Sequence, residues 1–237
     1  MEIKTTAIVL RATEIGESDK LVTLLTPDFG KMTVRAKGCR NAKSKLRFAT
    51  LPMCLGEYIL TKSKAGYILT GCDAIDTFPS VGADLVRYYV AAVLLDGADH
   101  MAREDSADAA LFLTLLNELK KVAYHDKPLH TGAVYLVQLL RLAGHALRPY
   151  CHCGEAGDYI DLETSAFCCD AHKGSLCMPL SALARQTLVA IVEGYDASVD
   201  GLREAYVILA RCLLHTVGIK LMSVQELCKQ WAVLAAE

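Results

Sequence analysis

The apolar pattern of this chain changes period once, near residue 80, and that change constrains the fold more than any other feature. Before it, apolar residues come in short β-branched runs: Thr5–Arg11, Lys20–Thr26, Lys31–Ala36, Met53–Thr61 and Tyr67–Asp73. Pro27-Asp28-Phe29-Gly30 is a turn signal that predicts an antiparallel hairpin between the second and third runs, and Gly66 marks another turn. Five such strands suit a small closed barrel, SH3-like or OB-fold.

From Val81 onward the spacing is helical. Leu85, Tyr88, Tyr89, Ala92 and Leu95 share a face, as do Leu111, Leu115, Leu119 and Val122, and then Val134, Val137, Leu140 and Ala143. Asp84, Asp105 and Asp108 put negative charge where helices are expected to start, which suits the macrodipole. Pro149 is expected to halt this series. Ser181–Val192, Leu202–Val217 and Ser223–Ala235 predict three more helices. The fold class expected is α+β, with a barrel over 1–80 and a mostly helical domain over 81–237, the junction lying at Phe78-Pro79-Ser80-Val81-Gly82.

A hydrophobic share of 53% and a mean hydropathy of +0.28 supply a packed core. The longest apolar stretch, around Val90–Leu95, is far too short to span a bilayer. The charged N-terminal segment is no signal peptide, so a soluble cytoplasmic protein is expected.

The net charge of −2 hides an asymmetry. Residues 1–80 hold 12 Lys+Arg against 8 Asp+Glu, leaving 13 against 19 for the remaining 157. The basic excess is concentrated further: Lys31, Arg35, Lys37, Arg40, Lys43, Lys45 and Arg47 fall in seventeen residues without one acidic residue. Lys31, Thr33 and Arg35 alternate on one strand face, so the two cations are expected to project together. Such an array matches a phosphate backbone, with affinity that falls steeply with salt. Gly38, Asn41 and Ser44 add flexibility and hydrogen-bond donors. Aromatic residues for base stacking are few (Phe29, Phe48, Tyr58, Tyr67), which favours backbone contact with little sequence preference.

Of ten cysteines, Cys39, Cys54, Cys72, Cys212 and Cys228 are scattered among apolar residues and read as small core hydrophobes. The other five cluster between 151 and 177. Cys151-x-Cys153, fifteen residues beginning with Gly154, then Cys169-x2-His172 has the form of two short chelating loops around a hairpin. That form suits a tetrahedral structural zinc ion. Cys168, His152 and Cys177 are further donors, so the spacing alone leaves the ligand set open. No HExxH or HxE…PCxxC pattern, P-loop, GxGxxG or GxSxG is present, so no catalytic residues are assigned. The alternative of a zinc-dependent nucleic-acid hydrolase or deaminase would need an open coordination position and Glu155 or Glu163 as base. A third reading is a scaffold whose basic loop meets an acidic protein partner.

Several segments together resemble the bacterial recombination-repair mediator family RecO. They are Thr6–Leu10, Gly16-Glu17-Ser18-Asp19-Lys20, Leu25-Thr26-Pro27, Gly30-Lys31, Ala36-Lys37-Gly38 and Lys43-Ser44-Lys45-Leu46. Pro149 with the cysteine cluster, then Leu214-His215 and Gly218-x-Lys220-Leu221-x-Ser223, extend the likeness over most of the chain. The resemblance implies an OB-fold, then a helical domain with a zinc module at about 149–178. It also implies binding of single- and double-stranded DNA, annealing of complementary strands, action with RecR, and help for RecA in replacing single-stranded DNA-binding protein. That protein's acidic C-terminal tail is an implied partner, with Lys220 a candidate to meet it; a nucleoid-associated cytoplasmic location follows. By position, DNA contacts fall on the Lys37-Gly38 loop and its basic neighbours. Zinc ligands fall on Cys153, Cys169 and His172, with Cys151 as the fourth. The first knuckle is one residue tighter than the family's usual pattern, and His172 stands where cysteine is common.

Overall fold

A computed structural model describes residues 2–234. β1 (Glu2–Ile15), β2 (Asp19–Thr26), β3 (Gly30–Ala36), β4 (Leu55–Ser63) and β5 (Gly66–Asp76) close into a barrel in the order β1-β2-β3-β5-β4. β1 pairs twice: Glu2–Ile8 lies against β4 and Ile8–Ile15 against β2, with a register shift between Val9 and Arg11. Such an irregularity bends a strand and lets it turn a barrel corner. The parallel pairing of Val34 with Tyr67 and Arg35 with Ile68 closes the cylinder. Strand order and closure are those of an OB-fold.

Val9, Val22, Leu24, Val34, Tyr58 and Leu60 fill the barrel interior. Their strand neighbours Ile8, Leu10 and Leu25 face the other way and are buried among the helices. Ala7-Ile8-Val9-Leu10 is therefore covered on both faces, the condition that an unbroken apolar run encodes in a strand.

The helices are α1 (Pro79–Ala83), α2 (Leu85–Met101), α3 (Ala109–Tyr124), α4 (Pro128–Leu142), α5 (Ala182–Glu193), α6 (Val199–Val217), α7 (Met222–Lys229) and α8 (Trp231–Leu234). Asp84 and Asp108 cap α2 and α3, each carboxylate accepting a backbone N–H at 2.9 Å from Arg87 and Leu111 respectively. Asp105 does not start a helix; it sits in the α2–α3 connection with φ +52°. α4 ends at Leu142, seven residues before the proline expected to stop it. Gly144 adopts φ +84° and the His145 N–H bonds back to Leu140 O at 2.8 Å, so a glycine terminates this helix, not Pro149. The helix expected over Ser223–Ala235 is divided at Gln230 into α7 and α8; Ala235 itself lies outside the described residues.

Between α4 and α5 lies a three-stranded sheet ordered β7-β6-β8, from β6 (Tyr159–Asp161), β7 (Ala166–Cys168) and β8 (Cys177–Pro179). Barrel and helices are joined at the β2–β3 turn. The Lys31 N–H bonds Arg103 O at 2.9 Å, and Lys31 Nζ bonds Asp99 O at 2.6 Å. Asp99 also takes Arg11 at 2.9 Å. Gly30 has φ +65°, and a Cβ there would run into the carbonyls of Ser106 and Arg103. No described helix is long and apolar enough to cross a membrane.

Candidate nucleic-acid interface and metal centre

The basic stretch runs from β3 into a series of tight turns over 37–47. Cys39, buried in the barrel core, pins the start, and Leu46 and Phe48 pack on the same core. Turn bonds from Asn41 N to Gly38 O (3.2 Å) and from Ser44 N to Asn41 O (2.9 Å) organise the backbone between them. Gly38 adopts φ +62°. Gly38, Asn41 and Ser44 therefore shape the loop.

The absence of acidic residues within the stretch does not survive folding. Lys31 and Arg35 occupy the same face of β3, but each is committed to a different carboxylate. Lys31 lies 3.3 Å from Asp99 and Arg35 lies 2.7 Å from Asp19. Arg40 pairs with Glu14 at 3.0 Å and donates to the carbonyls of Gly16 and Glu17. Asp19 also accepts the Gly38 N–H at 2.8 Å. That bond, with Arg35 and Ser18, holds the Asp19 carboxyl below its ordinary range. Lys37, Lys43, Lys45 and Arg47 are exposed and have no ion-pair partner among the described residues. Folding also brings in cations from outside the 31–47 stretch. Lys62 and Lys64 are exposed at the β4–β5 turn; Lys62 pairs with Tyr67, which is itself opposite Val34 of β3. In the sequence, the Lys-Ser-Lys before Gly66 is the signal for them.

In the second cluster, Cys151 and Cys153 project from a knuckle closed by the Gly154 N–H to Cys151 O at 2.9 Å, with Gly154 at φ +86°. Cys169 precedes and His172 ends one turn of 3-10 helix, closed by His172 N–H to Cys169 O at 3.0 Å. The four donor atoms lie within 4.8 Å of one another. Cys151 Sγ and Cys153 Sγ are each 3.8 Å from Cys169 Sγ, and His172 Nδ1 is 3.6 Å from Cys151 Sγ and 3.1 Å from Cys169 Sγ. A tetrahedron with metal–sulfur bonds of about 2.3 Å has sulfur–sulfur edges of about 3.8 Å, so the spacing fits a four-coordinate soft ion. The backbone N–H groups of Cys153 and then Cys169 draw the Cys151 thiol down to about 6, favouring the thiolate that binds metal.

His152 stands beside this set, its Nδ1 3.9 Å from Cys151 Sγ and its ring stacked edgewise on His172 at 4.2 Å. Cys168 and Cys177 face each other instead, with Sγ atoms 3.1 Å apart. Tyr159, Asp170 and Lys173 brace the second chelating turn: Lys173 bonds Asp170 at 2.6 Å and lies 4.8 Å above the Tyr159 ring. Apolar side chains also anchor the module: Ile160, Leu162 and Phe167 are buried in the main helical core. Of the scattered cysteines, Cys39, Cys54 and Cys212 are buried, while Cys72 and Cys228 are half-buried.

Residues 1–78 match the family described as Recombination protein O N terminal, and residues 82–225 the one described as Recombination protein O C terminal. The chain belongs to the recombination protein O family. Among curated relatives, a DNA repair protein RecO of Acetivibrio thermocellus is 32% identical over 145 residues, covering 61% of this chain and 58% of that protein. A RecO of Dehalococcoides mccartyi is 30% identical over 199 residues, 81% of this chain and 79% of its own length. One from a Thermoanaerobacter species is 31% identical over 144 residues, covering 60% and 58%. The family matches take in the barrel, most of the helices and the cysteine cluster alike.

Proposed function

We propose that this protein is a DNA-binding recombination mediator that performs no covalent chemistry. It binds single- and double-stranded DNA through the phosphate backbone and anneals complementary strands. With RecR, it helps RecA replace single-stranded DNA-binding protein. The observation that carries the reading is the set Lys37, Lys43, Lys45 and Arg47, four exposed cations with no carboxylate partner among the described residues, held on an ordered loop. Annealing needs two phosphate backbones screened and held close, which cations without carboxylate partners on one hydrogen-bonded loop provide without a nucleophile. Arg35 and Arg40 extend the track at its margin, while Lys31 serves the junction with α2. Lys62 and Lys64 are a second source of charge on the barrel.

We assign one structural zinc to Cys151, Cys153, Cys169 and His172. When bound, the ion would clamp the two chelating turns together. Four protein ligands occupy a tetrahedral ion completely, which supports scaffolding over a hydrolase or deaminase needing an open position.

For the acidic tail of single-stranded DNA-binding protein, we propose the groove between α6 and α7. Its floor is Val207, Ala210, Leu221 and Val224, and Arg203, Arg211, Lys220 and Lys229 stand around it. An apolar floor with a cationic rim suits a short peptide with acidic residues and a terminal carboxylate.

Changing Lys37, Lys43, Lys45 and Arg47 to Ala should weaken binding to single-stranded oligonucleotide. The log–log salt dependence should flatten by roughly 0.7 for each phosphate that is no longer neutralised. Fluorescence anisotropy across a salt series measures both. Wild-type affinity and slope in the fourfold variant would remove the loop from the interface.

A further inference from the structure

Cys168 and Cys177 belong to the cysteine cluster by sequence but not to the four-donor set by geometry. Cys168 ends β7 opposite Tyr159, and Cys177 begins β8 opposite Asp161, so the two flank β6 from either side. Their sulfurs nevertheless meet at 3.1 Å, a closer approach than the 3.8 Å that separates Cys169 Sγ from those of Cys151 and Cys153. Cys168 is 6% exposed and Cys177 half-buried, and both pack with Cys151 and Cys169 in one small cluster. The Gly174 N–H donates to Cys177 Sγ at 3.1 Å, a bond that steadies negative charge on that sulfur. Eight residues lie between the pair along the chain, so closing it makes only a short loop already folded in place.

We propose that Cys168 and Cys177 form a reversible oxidation site that closes to a disulfide under hydrogen peroxide, distinct from the metal-binding set. Cys177, the more accessible sulfur, attacks one peroxide oxygen as thiolate; the O–O bond breaks, water leaves after protonation, and Cys177 becomes a sulfenic acid. Cys168 then attacks the Cys177 sulfur; the S–S bond forms, the S–O bond breaks, and a second water leaves. One peroxide is reduced to two waters and two thiols are oxidised, and thiol reductants reverse the step by exchange. The sulfurs have about 1 Å to travel to reach the S–S bond length of about 2 Å.

Trypsin makes the test selective, because cleavage after Lys173 separates Cys177 from Cys151, Cys153, Cys168 and Cys169. The full chain, its bound metal counted first, is treated with a modest excess of hydrogen peroxide, alkylated, digested without reductant and analysed by mass spectrometry. The expected product is a covalent link between the peptide ending at Lys173 and the peptide beginning at Gly174, short of two hydrogens and abolished by dithiothreitol. Fragmentation should place the link at Cys168, metal content should be unchanged, and Cys168→Ser should abolish the link. Alkylation of Cys177 in most oxidised chains would overturn the proposal, as would a link to Cys151, Cys153 or Cys169 or persistence in Cys168→Ser. A separate failure would show itself separately: no metal at the outset and links confined to the first peptide would refute the zinc assignment.

Discussion

Asp19 shows how one residue can govern a surface made of others. Its carboxylate receives the Gly38 N–H at 2.8 Å, the Arg35 guanidinium at 2.7 Å and the Ser18 hydroxyl at 3.0 Å, tying β2 to the first turn of the basic loop. These donors favour the charged form and depress its pKa from the ordinary 3.8. A depressed carboxylate stabilises the fold fully above its unfolded value and ceases to do so as pH falls through the folded one. The loop should therefore hold its shape from neutral pH down to about pH 4 and loosen below it. At pH 7, Asp19→Asn should speed hydrogen exchange of the Gly38 amide several-fold while the amides of Val22 and Leu24 stay protected. Unchanged exchange at Gly38 would show that the loop is held by Cys39 and Leu46 alone. Nothing in the composition of 31–47 announces Asp19. The Gly16-Glu17-Ser18-Asp19-Lys20 segment stands out only through family resemblance, and its partners lie 16 and 19 residues away.

Among the elements, the cysteine module was the most legible. The spacing of Cys151, Cys153, Cys169 and His172 implied two chelating turns, and the four donors do converge. Strand pairing decides which sulfurs meet: β6 between β7 and β8 turns Cys168 toward Cys177 and leaves Cys169 with His172. A chelator that removes the ion should release exchange protection across 150–158 and 169–176. Ile160 and Phe167, seated in the helical core, should keep β6 and β7 protected longer. Hydrogen exchange read by mass spectrometry distinguishes this from global unfolding. A chelator-treated protein with an unaltered exchange map and no metal released would remove zinc from the account. Helix ends were less legible than helix faces. Gly144 stops α4 because a residue without Cβ accepts the left-handed conformation, whereas Pro149 lies beyond the end.

For the whole molecule, the proposed DNA track and the proposed peptide groove lie on different parts of the fold. The first is on the barrel loop at 37–47, the second between α6 and α7 near the C-terminus. Their effects should separate. Arg203→Glu with Lys220→Glu should weaken binding of an acidic peptide ending in a free carboxylate by at least about tenfold, the scale of one charge-assisted bond. Binding of bare oligonucleotide should change little. Titration of a labelled peptide, with oligonucleotide anisotropy alongside, checks both. Peptide affinity untouched by the double charge reversal would refute this placement of the tail. The two regions are also joined more firmly than the change of period at residue 80 implied. Ile8, Leu10 and Leu25 sit in the helical core, and Lys31 and Gly30 lock onto the α2–α3 connection.

The sequence by itself determined the order and type of the main elements, the barrel-then-helices architecture and the presence of a chelating cluster. These depend on periodicity, turn chemistry and spacings of a few residues, all local quantities. Only the tertiary structure decided which cations have no carboxylate partner among the described residues, which thiols converge with His172 and which two face each other. It also decided that the barrel shares its outer face with the helices. Those outcomes depend on carboxylates, sulfurs and apolar faces brought together from distant parts of the chain. Charge and donor strength act through space, and residue spacing does not record which groups will meet there.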